Sequence, residues 1–237
     1  MSTHHVFKAL LVEEQDDHTF SKKVVERHIT DLPENDLLID VHYSSLNYKD
    51  AMSASGNKRI SQNFPHTPGI DAAGVVVSDK SGTFSPGEEV LVFGYDLGMN
   101  TPGGLGQKIS IPAKWAVSCP DTLTLKEAMT YGTGGLTAAL CIQTLEQMGA
   151  QPPDGPVAVP GATGGVGSIS IALLNQLGYD VVAFSGKPEQ SEKLKALGAS
   201  EILNRETILE VKDALAGKPK WAHAIDTLGG DYLTGLL

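Results

Sequence analysis

A glycine-rich turn in the second half of the chain limits its fold more than any other feature. The turn, Gly161-Ala162-Thr163-Gly164-Gly165-Val166-Gly167, follows an apolar strand pattern at 157–160 and opens a helical pattern at 166–177. Its first glycine permits a tight turn out of the strand, the two adjacent glycines let backbone amides approach a pyrophosphate, and the last lets the helix pack close to the strand. The helix N-terminus adds free N–H groups and the positive end of its dipole. The segment therefore predicts a dinucleotide-binding βαβ unit.

The two halves of the chain differ in pattern. In the first half, short apolar or alternating runs lie between turn residues, which predicts a small barrel-like β domain. In the second half strands alternate with helices, which predicts a parallel sheet with right-handed crossovers. The predicted strands are 8–13, 37–44, 74–78, 89–94, 107–112, 157–160, 180–184, 201–203 and 222–226, and the predicted helices are 48–54, 125–131, 135–148, 166–177, 188–197 and 208–216.

We place the boundary between the two predicted domains after residue 123. The first domain is 1–123 and the second, which carries the glycine turn, is 124–237. The sequence ends at Leu237, shortly after the fourth predicted strand of the second domain, whereas a doubly wound sheet usually continues through six strands. We therefore expect the second domain to be incomplete at its C-terminal end.

Charge and cysteine content exclude several classes of function. The formal net charge is -10 and the sequence pI is about 5.1, so we expect no nucleic-acid partner and no membrane surface partner. Cys119 and Cys141 form no CxxC pair, which argues against a structural zinc and a disulfide framework. We find neither a signal-peptide pattern nor an apolar run of membrane-spanning length, and expect a cytoplasmic protein.

The end of the second strand of the predicted βαβ unit indicates which dinucleotide binds. NAD sites tend to place Asp or Glu there for the ribose hydroxyls, but this chain reads Phe184-Ser185-Gly186-Lys187 and has no carboxylate before Glu189. A hydroxyl, backbone amides and a cation favour the 2′-phosphate of NADP(H). An ordinary solvated surface role for Lys187 stays open.

A second small-residue segment, Gly132-Thr133-Gly134-Gly135-Leu136-Thr137, opens the helix predicted at 135–148. It supports two interpretations equally. The helix N-terminus reaches the bound dinucleotide, or the glycines permit a close crossing of two helices.

Five segments of the chain together carry a family resemblance. They are Ser45-Leu46-Asn47-Tyr48-Lys49-Asp50, Pro68-Gly69-Ile70-Asp71-Ala72-Ala73-Gly74, 132–138, 162–167 and Leu197-Gly198-Ala199. Together they resemble the medium-chain dehydrogenase/reductase superfamily. The similarity is strongest to its zinc-independent quinone oxidoreductase branch, in particular the YhdH/YhfP-type acryloyl-CoA reductase family, and it runs from about Lys8 to the end of the chain. It implies a GroES-like β-barrel catalytic domain followed by a Rossmann NADP-binding domain, with the cofactor in the cleft between them.

The resemblance also bears on zinc. The positions that match the zinc ligands of alcohol dehydrogenases in the superfamily are Asn47, Ile70 and Met129. A catalytic zinc needs three ligands of N, S or O type, and an isoleucine side chain has none. We therefore expect no metal, and a reaction that proceeds without one, such as hydride delivery from NADPH to an activated C=C bond.

The resemblance assigns residues to the cofactor. It places Tyr48 beside the nicotinamide as the catalytic residue, although a half-buried structural aromatic is the alternative. Arg205 joins the 2′-phosphate site, although an exposed helix-capping arginine is equally compatible with the sequence. Asp50 and Asp71 are expected to cap or pair structurally rather than act as bases. The predicted cofactor-binding residues are Asn47, Tyr48, Thr137, Thr163, Gly164, Gly165, Val166, Ser185, Gly186, Lys187 and Arg205.

These observations lead to one main hypothesis on function. The chain is predicted to be a zinc-independent, NADPH-dependent oxidoreductase whose partner is a small enoyl thioester such as acryloyl-CoA, an enone or a quinone, and the resemblance implies a homodimer. The alternative is an NADP(H)-binding redox-sensing or RNA-associated protein without turnover. A zinc alcohol dehydrogenase is a third, weaker alternative.

Overall fold

The structure is a computed structural model that describes residues 6–213 and 220–237. The chain forms two compact units, and the division falls between Thr133 and Gly134. Within the described residues, no helix has both the length and the apolar character needed to cross a membrane.

The first unit consists mainly of antiparallel strands. Its elements are β1 (Val6–Glu14), β2 (Phe20–His28), β3 (Leu37–Tyr43), α1 (Tyr48–Ala54), β4 (Asp71–Asp79), β5 (Glu89–Phe93), β6 (Lys108–Ile111) and β7 (Ala116–Ser118). β1 and β2 form a hairpin sheet, and the other five strands form a second sheet in the order β6-β3-β4-β5-β7. Isolated bridges from Ala9 to Gly106 and from Val12 to His66 connect the hairpin to the rest of the unit.

All five strands predicted in this half are present, but β2 and β7 were not predicted. β2 reads Phe-Ser-Lys-Lys-Val-Val-Glu-Arg-His and has no fully buried residue, so it lacks the apolar alternation that marks a half-buried strand. β7 has only three residues. The buried core beneath the larger sheet is apolar and includes Leu37, Ile39, Val90, Ile109 and Ile111.

A long helix, α2 (Leu125–Gln147), runs from the first unit into the second. It corresponds to the two helices predicted at 125–131 and 135–148, which join at a kink where Gly132 has φ 51° and ψ −156°. That backbone conformation is strained for a residue with a side chain. A Cβ at Gly132 would also lie 2.8 Å from the Ser45 Cβ.

The second unit contains a four-stranded parallel sheet and the helices that connect its strands. Its elements are β8 (Val157–Pro160), α3 (Gly165–Gln176), β9 (Val181–Ser185), α4 (Ser191–Ala196), β10 (Glu201–Asn204), a 3₁₀ helix (Arg205–Asp213), β11 (His223–Ala224) and α5 (Gly230–Leu236). The strand order in the sheet is β10-β9-β8-β11. Val157, Val159, Val181 and Ala183 are fully buried in its centre, as expected for parallel strands covered on both faces.

The later elements depart most from the sequence predictions. The helix predicted at 208–216 is a 3₁₀ helix that begins at Arg205, and positions 214–216 lie outside the described residues. It starts early because Asn204 ends the strand and caps the helix at once: its Oδ1 accepts the Glu206 N–H at 3.0 Å and its carbonyl accepts the Thr207 hydroxyl at 2.6 Å. The strand predicted at 222–226 is reduced to two residues, and α5 was not predicted.

Candidate functional site

The glycine turn between β8 and α3 has the geometry that its sequence predicts. Gly161 has φ 64°, and a Cβ there would lie 2.4 Å from the Thr227 Oγ1. The Gly164 N–H donates to the Gly161 carbonyl at 2.9 Å, which closes the turn. A Cβ at Gly167 would lie 2.4 Å from the same carbonyl oxygen, so the helix and the turn are in close contact. The turn therefore depends on glycine at both 161 and 167.

The first helical residue of α3 faces open space. A Cβ built on Gly165 meets no protein atom within 4 Å, and Gly164 and Gly165 are both exposed. The first turn of an α-helix carries N–H groups without intrahelical acceptors, and the helix dipole makes this end positive. Thr163, Gly164, Gly165 and Val166 thus form one continuous surface that fits a pyrophosphate.

The end of β9 brings the other predicted phosphate contacts together. Ser185 pairs with Asn204 of β10, so Arg205 leaves the sheet directly beside Gly186. A Cβ at Gly186 would lie only 3.2 Å from the Arg205 Nε. The Ser185 Oγ accepts the Lys187 N–H at 3.0 Å. Two cations, a hydroxyl and an exposed glycine therefore share one sheet edge, and these groups fit a phosphate.

Two residues that the sequence analysis missed contact this group. The Arg205 Nε donates to the Glu206 Oε1 at 3.0 Å, and the Tyr232 hydroxyl donates to the same oxygen at 3.0 Å. The Arg205 guanidinium lies 5.9 Å from the centroid of the Tyr232 ring. The hydrogen bond to Glu206 raises the pKa of the Arg205 guanidinium further above its usual value. The only sequence signal was a glutamate next to Arg205, and nothing indicated Tyr232.

The first unit holds a buried polar cluster around Asp71, whose side chain is fully inaccessible to solvent. Its carboxylate accepts hydrogen bonds from the Ser45 hydroxyl, from the Asn47 Nδ2 at 2.9 Å, and from the Thr133 N–H and hydroxyl at 2.8 and 2.5 Å. Asn47 also donates from Nδ2 to the Ser45 Oγ at 2.8 Å. We call Asp71, Ser45, Asn47 and Thr133 the Asp71 cluster.

The Asp71 cluster explains both the α2 kink and the orientation of Asn47. Asp71 caps the helix segment that starts again at Thr133 after Gly132, as an acidic N-cap does. A carboxylate only accepts hydrogen bonds, so the Asn47 amide turns its NH₂ group toward Asp71 and its carbonyl oxygen away from it. Asp50 fixes the same loop, since its carboxylate accepts the N–H of Asn47 at 2.7 Å and that of Ile70 at 2.9 Å. Burial raises the pKa of the Asp50 carboxyl, and these hydrogen bonds oppose that shift.

Two further predicted residues, Tyr48 and Thr137, lie elsewhere. Tyr48 is the first residue of α1 and is 82% exposed. Thr137 is half-buried on the part of α2 that belongs to the second unit. There a Cβ at Gly134 would lie 3.4 Å from the carbonyl carbon of Gly165, so the glycines of this segment permit a close crossing of α2 and α3. Asn47 and Tyr48 thus belong to the first unit, and the other predicted cofactor residues to the second.

The residues at the zinc-ligand positions do not fit a catalytic zinc. Ile70 and Met129 are buried apolar side chains, and the NH₂ group of Asn47 is committed to Asp71 and Ser45. In residues 6–213 and 220–237, no three side chains of His, Cys, Asp or Glu converge as metal ligands would. The chemistry of this donor set therefore supplies no zinc site.

Two family models match the chain. The alcohol dehydrogenase GroES-like domain matches residues 33–121, and the zinc-binding dehydrogenase domain matches residues 165–236. These segments lie in the first and second structural units respectively.

Similar proteins extend the match over nearly the whole chain. The putative quinone oxidoreductase YhfP of Bacillus subtilis is 44% identical over all of this chain and 71% of its own length. The probable acrylyl-CoA reductase AcuI of Escherichia coli is 45% identical over 97% of this chain and 70% of its own length.

Solved structures show the same relationship. The YhdH oxidoreductase of Salmonella enterica, in complex with NADP, has a TM-score of 0.90 and 43% identity, covering 95% of this chain and 69% of its own. The structure of Bacillus subtilis YhfP with NAD bound has a TM-score of 0.93 and 44% identity, covering 98% and 70%.

Proposed function

We infer that the chain, which belongs to the YhdH/YhfP-type acryloyl-CoA reductase family of zinc-independent medium-chain dehydrogenases/reductases, is an NADPH-dependent oxidoreductase. It would reduce the activated C=C bond of a small enoyl thioester, or a quinone. The observation that carries the cofactor assignment is the position of Arg205 against Gly186, beside Ser185 and Lys187. This edge offers two cations and a hydroxyl where an NAD site typically places a carboxylate. When bound, NADPH supplies the hydride for the reduction.

The residues of the second unit would hold the cofactor by its phosphates. The turn at Thr163, Gly164, Gly165 and Val166 would line the pyrophosphate. Because the Gly164 N–H already closes the turn, the N–H groups of Gly165 and Val166 in the first turn of α3 would bind it. The guanidinium of Arg205, the ammonium of Lys187 and the hydroxyl of Ser185 would bind the 2′-phosphate through charge-assisted hydrogen bonds. Thr137, which lies one helical turn beyond Thr133 on α2, would also contact the cofactor.

The residues of the first unit would act at the reactive end. Asn47 would offer its side-chain carbonyl oxygen to the carboxamide of the nicotinamide, because Asp71 and Ser45 already hold its NH₂ group. The exposed hydroxyl of Tyr48 would donate a hydrogen bond to the carbonyl oxygen of the substrate, where negative charge develops as the C=C bond is reduced. The Tyr48 hydroxyl would stabilise that charge without a metal, since Ile70 and Met129 supply no zinc ligands.

A glycine substitution tests cofactor binding. Gly165→Ala places a methyl group in open space, so we expect the protein to fold normally and to bind NADPH at least about tenfold more weakly, since the methyl occupies the surface that the pyrophosphate needs. Isothermal titration calorimetry measures the affinity, and circular dichroism checks the fold. Gln176→Ala is the control, because Gln176 is exposed at the opposite end of the same helix and lies outside the proposed site. Unchanged NADPH affinity in Gly165→Ala contradicts the assignment of the turn.

Turnover is tested by following NADPH oxidation with acryloyl-CoA, simple enones and quinones. We expect oxidation with at least one activated C=C substrate or quinone, and a kcat about tenfold lower in Tyr48→Phe, which lacks the hydroxyl donor. Tyr95→Phe is the control, since Tyr95 stacks on Trp115 and Phe keeps that ring contact. NADPH binding without oxidation of any of these acceptors would instead favour the redox-sensing alternative.

We also propose that the protein works in the cytoplasm. Cys119 and Cys141 are both free thiols in the structure, which is usual for a protein of a reducing compartment. The homodimer implied by the family resemblance remains a prediction, and sedimentation of the protein at micromolar concentration tests it.

A further inference from the structure

The proposed 2′-phosphate site contains a carboxylate that its function does not require. Glu206 is half exposed, as is Arg205, and its Oε1 is shared by the Arg205 Nε and the Tyr232 hydroxyl, each at 3.0 Å. The backbone also fixes Glu206, since its N–H is bonded to the Asn204 Oδ1 at 3.0 Å. The Glu206 carboxylate is therefore held beside the guanidinium by two hydrogen bonds, and the Glu206 backbone is held by a third.

This arrangement has two opposite effects on a bound dinucleotide. The guanidinium has five N–H donors, and its bond from Nε to Glu206 leaves the terminal NH₂ groups for another anion. The negative charge of Glu206, however, offsets part of the cationic charge at the same point and repels a doubly charged phosphate. A ribose 2′-hydroxyl is neutral and is a hydrogen-bond donor, so a nearby carboxylate does not repel it. The charge of Glu206 thus penalises the phosphorylated dinucleotide alone.

We propose that Glu206 is a specificity-determining residue that limits the preference of this site for NADPH and keeps NADH an acceptable cofactor. The inference rests on the proposed function, because it needs Arg205 at the 2′-phosphate. Tyr232 is the positioning residue in this arrangement, since its hydroxyl holds the Glu206 carboxylate next to Arg205. Solved structures of two relatives hold NADP in one case and NAD in the other.

The decisive variant is Glu206→Gln, which keeps an oxygen acceptor for Arg205 and Tyr232 and removes only the charge. Calorimetric titrations with NADPH, NADH, 2′,5′-ADP and 5′-AMP give the affinities of the wild type and the variant. We expect Glu206→Gln to bind NADPH and 2′,5′-ADP about three- to tenfold more tightly, with NADH and 5′-AMP unchanged, and we expect the gain to shrink as salt is raised.

Glu192→Gln is the matched control. It removes the carboxylate of another exposed ion pair of the second unit, Glu192 with Lys195 at 3.0 Å, which lies on α4 away from the strand end. We expect it to leave all four affinities unchanged. Equal changes for phosphorylated and unphosphorylated ligands in Glu206→Gln, or no change at all, would overturn the inference about Glu206.

The titrations with NADPH and NADH separate this inference from the proposed function. If the wild type binds neither NADPH nor NADH, the proposed function fails. If the wild type binds NADPH and Glu206→Gln leaves the ratio of NADPH to NADH affinity unaltered, the proposed function stands and the role of Glu206 is wrong. Circular dichroism of both variants verifies that the fold is retained.

Discussion

The Asp71 cluster and the group of Arg205, Glu206 and Tyr232, which we call the Arg205 group, are both polar but have different roles. Asp71 is fully buried, and its carboxylate accepts four hydrogen bonds from three neighbours. Arg205 and Glu206 are about half exposed, at 49% and 53% of their side-chain surface. A buried polar network is stabilising only when every member is satisfied, whereas an exposed ion pair contributes little to stability. The comparison indicates that the Asp71 cluster stabilises the fold, whereas the Arg205 group is available to a ligand.

The largest effect is expected from breaking the Asp71 cluster. Asp71→Ala removes the acceptor shared by the Ser45 hydroxyl, the Asn47 Nδ2 and both Thr133 donors, and it removes the cap of the restarted α2 segment. We therefore expect a loss of about 3–5 kcal/mol in the free energy of unfolding. Denaturant unfolding measures it. Asp121→Ala removes an exposed carboxylate and serves as the control. A loss below about 1 kcal/mol for Asp71→Ala contradicts the structural role of this cluster.

Substitution in the glycine turn is expected to lower both the stability of the protein and its affinity for NADPH. Gly167→Ala forces a methyl group to within 2.4 Å of the Gly161 carbonyl oxygen, and backbone atoms cannot move aside as a flexible side chain does. We expect a loss of about 1–3 kcal/mol in stability, together with weaker NADPH binding. Thermal unfolding and calorimetry report the two effects separately. A Gly167→Ala protein that is as stable as the wild type would contradict the close contact between the turn and the helix.

Substitution in the Arg205 group should weaken ligand binding without changing stability, the reverse of what we expect for the Asp71 cluster. We expect Arg205→Ala to leave unfolding unchanged and to weaken 2′,5′-ADP binding by about 10- to 100-fold, because a charge-assisted bidentate contact is lost. Lys195→Ala, at an exposed ion pair on α4, is the control for removing a cation. A destabilised Arg205→Ala protein with unaltered ligand affinity would remove the contrast between the two regions.

The smallest effect concerns the buried His66 of the first unit, whose Nε2 donates to the Gly98 carbonyl at 2.8 Å. Burial lowers the pKa of the imidazole below its ordinary value of 6.5, with smaller opposing contributions from Gly98 and Asp96. The unfolded chain therefore binds more protons than the folded one below pH 6.5, and stability falls as the pH drops from 6.5 toward the folded pKa.

Unfolding measured across this pH range checks the effect of His66. We expect the slope to be reduced in His66→Gln and retained in His42→Gln, since His42 is exposed. The same slope in His66→Gln and the wild type would show that other groups cause it.

The parts of the molecule that were predictable depend on local sequence. The glycine turn, β8 and α1 follow from short-range patterns, and Ser185, Gly186, Lys187 and Arg205 meet because adjacent parallel strands end at one edge. The Asp71 cluster was only anticipated as structural capping, because the residues that donate to Asp71 lie as many as 62 residues away from it in the sequence. The Glu206 contact to Tyr232 spans 26 residues and has no motif. Such side-chain contacts depend on tertiary packing, which one sequence does not reveal.

The most direct test of the account is the affinity of the wild type and of a Lys187→Ala/Arg205→Ala double variant for NADPH and NADH, measured by calorimetry. We propose that the exposed cations at the end of β9 and β10 recognise the 2′-phosphate. We therefore expect tighter binding of NADPH than of NADH by the wild type, and loss of that advantage in the double variant with NADH affinity retained. Equal affinity of the wild type for the two cofactors, or an NADPH advantage that survives in the double variant, would contradict it.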